Sequence, residues 1–210
     1  VNLFGAFKTG DRVDARPIGV GDALRRFLAS VQVELHNDAI AQDMGLVQVA
    51  CAVKDGAGIL ISMVREVIQL KPAFHAVHLD FKNMHNMLDR EAACQGLAAA
   101  SVGPRSILQG FFAEYRHKGD ILDGHGNLLP FGSSTGGNQG DPRMTVVASY
   151  AILPVVKWLD AELRKLGGFA VFISDDGYAV GPGPSIYPLI AEFRTRAKAM
   201  FNLDCVPSKC

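Results

Sequence analysis

The chain has 210 residues, 49% of them apolar, and its 21 basic side chains balance 21 acidic ones. That length and apolar fraction suffice for a substantial core, as one domain or one domain with a lobe. The zero net charge excludes the strongly basic signature of many nucleic-acid-binding chains. No signal peptide is visible, no apolar run approaches the ~18 residues of a membrane span, and a membrane partner is not expected. Cys51, Cys94, Cys205 and Cys210 lack zinc-site spacing and read as reduced thiols of an intracellular protein.

Residues 3–18 read as a hairpin turning at Thr9-Gly10-Asp11, with Pro17 suited to an edge strand, where a missing N–H does no harm. Leu24, Phe27, Leu28, Val31 and Leu35 recur at the spacing of an amphipathic helix. A further helix is expected over about 58–70, stopped by Pro72, and a buried strand over 73–80. Helices at 86–99 and 104–117 follow, with Ile107, Leu108, Phe111, Phe112 and Tyr115 on one face of the second. A second hairpin over 120–131 turns at Asp123 to Gly126, and a small-residue loop at 132–137 leads into a long helix over about 139–166. A hairpin over 169–181 precedes a last helix with Ile186, Leu189, Ile190, Phe193 and Ala197 on its apolar side. Strands alternate with helices, but the hairpins favour an α+β fold with a mixed, largely antiparallel sheet backed by helices.

The chemistry concentrates in three acids. Asp175-Asp176 follows the apolar run 169–174 and precedes Gly177, so the hairpin projects both carboxylates at its tip. Taken alone, Asp-Asp-Gly is a common surface turn; adjacent carboxylates also repel unless a cation binds between them. Asp80 ends the strand His78-Leu79-Asp80. If that strand lies beside the hairpin, Asp80, Asp175 and Asp176 converge as an all-oxygen set suited to two Mg²⁺ ions, with Mn²⁺ as a substitute. The alternative for Asp80 is a helix cap. In the loop Ser134 to Pro142, glycines would let a ligand approach the backbone and the Gln139 amide could bond a substrate or template group. Lys8, Arg12 and Arg16 on the first hairpin could clamp a triphosphate or form a solvated face. His75 and His78 lie three apart on a strand and face opposite sides, which disfavours a zinc site.

The order of these motifs resembles the reverse transcriptase domain of non-LTR (LINE-like) retrotransposons. Arg16-Pro-Ile18, Leu79-Asp-Phe-Lys-Asn83 through Asn86 and Asp89-Arg90, Gly136-Gly-Asn-Gln-Gly-Asp-Pro142, Ser174-Asp-Asp176 and Pro207-Ser-Lys-Cys210 stand in the family's order over almost the whole chain. Singly they are weak; five in order are specific. The resemblance implies a polymerase palm with a partial fingers subdomain and no thumb. Residues 1–72 would be mainly fingers, 73–100 palm, 101–135 a fingers/palm insertion and 136–210 palm, within a longer polyprotein of the nucleus or cytoplasm.

The resemblance also assigns roles. Asp80, Asp175 and Asp176 match the metal-binding catalytic aspartates, and Lys209 the lysine proposed to protonate pyrophosphate. Arg16 and Lys8 match basic contacts to the incoming triphosphate; Phe81, His85, Gln139 and Gly140 match positions bordering the nucleotide and template. The implied activity is RNA-directed DNA polymerisation on an RNA template from a DNA primer and dNTPs. Three positions depart from the family pattern: Ile173 replaces an aromatic, Met84-His85 replaces Ala-Phe/Tyr at the residue that excludes a 2′-hydroxyl, and Gly137 replaces Val. A catalytically silent scaffold binding nucleic acid or protein, a decayed copy, and an unrelated metal-dependent phosphotransferase or nuclease are the alternatives.

Overall fold

The computed structural model describes residues 2–7, 15–20, 22–122 and 127–207. Strands β1 (Asn2–Phe7) and β2 (Ala15–Val20) pair antiparallel from Asn2↔Val20 to Phe7↔Ala15. Helix α1 (Ala23–Glu34) starts at Asp22, whose carboxylate accepts from the Leu24 and Arg25 N–H groups and so satisfies donors that the first turn leaves open. Helix α2 (Asn37–Met44), a 3-10 turn at Gly45–Val47 and helix α3 (Gly56–Leu70, capped by Asp55) lead to β3 (Phe74–Phe81). Four short helices follow: α4 (Met84–Met87), α5 (Arg90–Ala98), α6 (Val102–Arg105) and α7 (Ile107–Tyr115). Hairpin β4 (Gly119–Leu122) and β5 (Leu128–Ser133) precedes the long helix α8 (Met144–Lys165). The chain continues through β6 (Phe169–Ile173), β7 (Asp176–Pro182), a 3-10 turn at Gly183–Ser185, α9 (Ile186–Phe201) and β8 (Cys205–Pro207).

The strands form two four-stranded sheets, β2-β1-β4-β5 and β6-β7-β3-β8. The second is antiparallel throughout. Pro17 sits in β2, an edge strand, the place in a sheet where proline is tolerated. On β3, Val77, Leu79 and Phe81 face one way and are buried, as strand alternation requires. Helices α8 and α9 cover that face, and the Phe81 ring lies 6.1 Å from Phe172 and 5.7 Å from Phe193. Burying each such ring contributes roughly 1.5–3 kcal/mol. Helix α3 covers the other face, where Leu60 joins Val49, Phe169, Val171 and Val180. By length and composition α8 could cross a membrane, but its side chains from Met144 to Leu163 are mostly core.

Several sequence expectations need correction. The 139–166 helix begins only at Met144, because the Asp141 carboxylate accepts from the Arg143 N–H and the Tyr115 hydroxyl and holds the preceding residues in a turn. The 86–99 helix breaks at Leu88, and Asp89 caps α5 through the Ala92 N–H. Phe112 is not on the buried side of α7; it is 52% exposed. The apolar stripe of α1 is also outward: Leu24, Phe27, Leu28 and Leu35 are exposed, while Ala29 is buried and Gln32 donates to the Ser106 carbonyl. Helix α2 and strand β8 had no clear sequence signal. The turn at 123–126 lies outside the described residues.

Candidate functional site

Strands β3 and β7 are neighbours, in register from Phe74↔Pro182 to Asp80↔Asp176. Asp80 and Asp176 are therefore directly opposed across two strands, on the face away from Phe81. Ile173 also pairs with Asp176, so only Ser174 and Asp175 form the turn. Asp176 is the first residue of β7 rather than part of the tip. The Asp175 carbonyl accepts from the Phe81 N–H at 3.0 Å, tying the turn to the end of β3.

Asp176 feels both of the other acids. Burial raises the Asp176 pKa above its ordinary 3.8, and the charges of Asp175 and Asp80 raise it further. His78, whose Nε2 lies 3.3 Å from Asp176 Oδ1, opposes them. Among the described residues, no three His, Cys, Asp or Glu side chains stand in metal-ligating geometry; Asp176 is turned to His78 instead. The donor set is all oxygen and mutually repelling. That chemistry fits a hard divalent cation, which would relieve the repulsion that Asp176 records.

A second layer borders this end of the sheet. His85 is half-buried, and burial lowers its pKa against the opposing charge of Asp175, so a neutral imidazole stands near that carboxylate. The loop 133–141 docks beside it. Gly136 N–H donates to the Leu88 carbonyl at 2.7 Å and Gly137 N–H to the His85 carbonyl at 2.8 Å. Gly136 has φ +55, and a Cβ there would lie 2.2 Å from the His85 oxygen. The glycine thus serves the loop's own docking. At Gly137 a Cβ would meet Met144 Sδ at 2.4 Å, so a larger residue there would require the Met144 side chain to shift.

Arg90 is the tie of this loop. Its guanidinium donates to the carbonyls of Gly136, Tyr115, His117 and Thr135 and to the Ser133 hydroxyl. Farther along, Arg143 bridges Asp141 and Glu114, and the Tyr115 hydroxyl donates to Asp141 while accepting from the Asn138 N–H. Gln139 is exposed on this braced loop, with Gly140 half-buried beside it.

The structure brings together Asp80, Asp175, Asp176 and His85, with the Gln139 loop docked on the segment that carries His85. Phe81 departs from its expected substrate-binding place: its ring is fully buried and its N–H is committed to Asp175. Arg16 pairs through its backbone with Ala6; its side chain, Lys8 and Lys209 lie outside what is described. His75 faces away from the acids and bonds the Tyr187 hydroxyl at 2.8 Å. Sequence reasoning passed over Gln48 and the bracing role of Arg90. The one available signal for Gln48 is a lone amide inside the apolar stretch Leu46-Val47-Gln48-Val49.

No protein-family model matches the sequence, and no curated relative does. Solved structures do match. Telomerase from Candida tropicalis in complex with a fragment of telomeric RNA aligns with TM-score 0.64 and 11% identity, over 98% of this chain and 42% of that one. Telomerase from Candida albicans, also with a telomeric RNA fragment, aligns with TM-score 0.55 and 13% identity over 89% of this chain and 33% of that one. The RNA-dependent RNA polymerase of bacteriophage phi12 gives 0.59 and 10% over 92% and 32%. This chain thus spans well under half the length of each. At these identities the likeness is one of fold: the chain has a reverse-transcriptase-like polymerase fold, an antiparallel palm sheet backed by helices.

Proposed function

We propose that the chain is the palm and part of the fingers of an RNA-directed DNA polymerase from a non-LTR retroelement. The observation that carries this is the Asp80↔Asp176 register with Asp175 in the adjoining turn, on a fold shared with telomerase and a viral RNA polymerase. The motif order along the sequence adds the retroelement assignment. The substrates are a primer 3′-hydroxyl and a dNTP, with RNA as template.

Asp80, Asp175 and Asp176 would hold Mg²⁺, which supplies Lewis acidity to the attacking hydroxyl and charge neutralisation at the phosphates. Neutral His85 would border the sugar, and the Arg90-braced loop would present Gln139 to the nascent base pair. Arg16 and Lys8 are the candidates for orienting the triphosphate, and Lys209 for donating a proton to the leaving pyrophosphate. In the intact protein, Asp175→Asn is expected to abolish primer extension on an RNA template while preserving the melting temperature. Undiminished extension by that variant overturns the proposal.

A second reading, a catalytically silent scaffold, is favoured by Ile173 beside the acids and His85 at the sugar position. Mn²⁺ titration separates the two: the enzyme binds the ion at the aspartates and loses it in Asp175→Asn, whereas a scaffold shows no difference between the two proteins.

A further inference from the structure

We infer that Gln48 is a positioning residue for the aspartate turn, latching Ser174 so that Asp175 is presented in one fixed place. This rests on the polymerase reading for its functional consequence. Gln48 is fully buried, a setting in which a side-chain amide needs hydrogen-bond partners. Both ends of its amide bond one residue. Ser174 N–H donates to Gln48 Oε1 at 2.9 Å, and Gln48 Nε2 donates to the Ser174 carbonyl at 3.2 Å. The same Oε1 also accepts from the Ala50 N–H at 3.2 Å.

The geometry explains why a side chain does this. Strand β6 is the sheet edge, and residues 48–49 run along it, with a parallel bridge Gln48↔Phe172 and the Val49 N–H on the Phe172 carbonyl at 2.8 Å. Past Ile173, no backbone partner continues the ladder on that side among the described residues. The Gln48 amide, which both donates and accepts, substitutes for the missing peptide. Ser174 needs the help: its φ is +59, a left-handed conformation that a non-glycine residue keeps only when its surroundings enforce it.

The latch is itself anchored on the palm helix. The Asp43 carboxylate accepts from the Tyr150 hydroxyl at 2.7 Å and the Ser101 N–H at 2.9 Å, and the Asp43 carbonyl accepts from Lys157. Cys51 Sγ lies 3.7 Å from the Ser149 hydroxyl. The segment between Asp43 and Cys51 is thereby pinned to α8 at both ends, and Gln48 transmits that fixed position to Ser174.

The test compares the intact wild-type protein with Gln48→Leu, close in shape but unable to bond, and with Leu163→Ala, a destabilised control on the opposite sheet face. Amide exchange at Ser174 reads the latch; Mn²⁺ affinity and primer extension read its consequence. Gln48→Leu is expected to expose the Ser174 amide and to weaken Mn²⁺ binding and extension about 10-fold or more, as for other residues that orient metal ligands indirectly. Leu163→Ala is expected to lose stability with unchanged Mn²⁺ affinity. Unchanged Ser174 exchange in Gln48→Leu overturns the latch. Faster exchange with wild-type Mn²⁺ affinity and extension overturns the positioning role. A wild-type protein that neither binds Mn²⁺ nor extends a primer overturns the polymerase reading, while the exchange data still decide the latch.

Discussion

Asp176 stands opposite Asp80 across β3 and β7 yet gives its carboxylate to His78, 3.3 Å away. The site is thus held at a cost in the metal-free protein, because burial and two neighbouring acids raise the Asp176 pKa above 3.8. A carboxyl whose folded pKa is raised adds stability when protonated and loses it as pH climbs from 3.8 through the higher folded value. Asp176→Asn is neutral at every pH. In metal-free buffer it should melt above wild type at neutral pH, and the gain should vanish below pH 3.8, where wild-type Asp176 is itself protonated. Calorimetry at both pH values checks this; a lower neutral-pH melting temperature for the variant would show that the His78 contact outweighs the repulsion.

Arg90 makes five hydrogen bonds across α7, β5 and the Gln139 loop. Removing a charged donor from partly buried carbonyls leaves several acceptors unsatisfied, so Arg90→Ala should cost about 3 kcal/mol in urea unfolding. Arg90→Lys should recover little, since an ammonium cannot reproduce the planar fork. Limited proteolysis should cut the 133–141 loop first in both variants. A fully stable Arg90→Lys protein would mean that charge, not fork geometry, holds the loop.

How far the sequence could be read depended on whether partners were local. The hairpin 169–181 announced itself through a continuous apolar run with an acidic turn, and Asp80 through its place at a strand end; both are short-range signals. That β3 lies directly against β7 was only conditional in the sequence, because strand order is a long-range property. Gln48 bonds a residue 126 positions away, and no periodicity reports such a pair. The α1 stripe failed for another reason. Periodicity shows that a helix has an apolar side, but what covers that side depends on its neighbours, and here the helix docks through Ala29 and Gln32. Gly136 was legible as a special position, though its purpose, clearance from the His85 carbonyl, needed the fold.

Phe81 was expected to touch substrate and is instead core, between Phe172 and Phe193. Phe81→Ala should therefore lose about 3–5 kcal/mol of stability through the cavity it leaves. Phe81→Leu, which keeps most of the apolar volume, should retain the wild-type KM for dNTP in primer extension. A large rise in that KM with the fold intact would restore a substrate role for the ring.

Gly136→Ala combines a left-handed φ with a Cβ 2.2 Å from a backbone oxygen, and backbone cannot rotate away as a side chain can. The expected loss is at least about 2 kcal/mol, with the loop lifted from the His85–Leu88 segment and primer extension reduced more than stability alone would dictate. Measuring extension well below the variant's melting temperature separates the two effects; full activity there would show that the loop need not dock.

The inverted stripe of α1 yields a contrasting pair. Phe27 is 63% exposed and Ala29 only 3%. If the helix docks through Ala29, Phe27→Ser should shift the urea midpoint by no more than surface changes do, within about 0.5 kcal/mol. Ala29→Leu, adding three carbons at the contact with α7, should cost about 1–3 kcal/mol through overpacking. A helix docked by its apolar stripe would give the opposite order, with Phe27→Ser the damaging change, and unfolding curves of the two variants decide between these orientations.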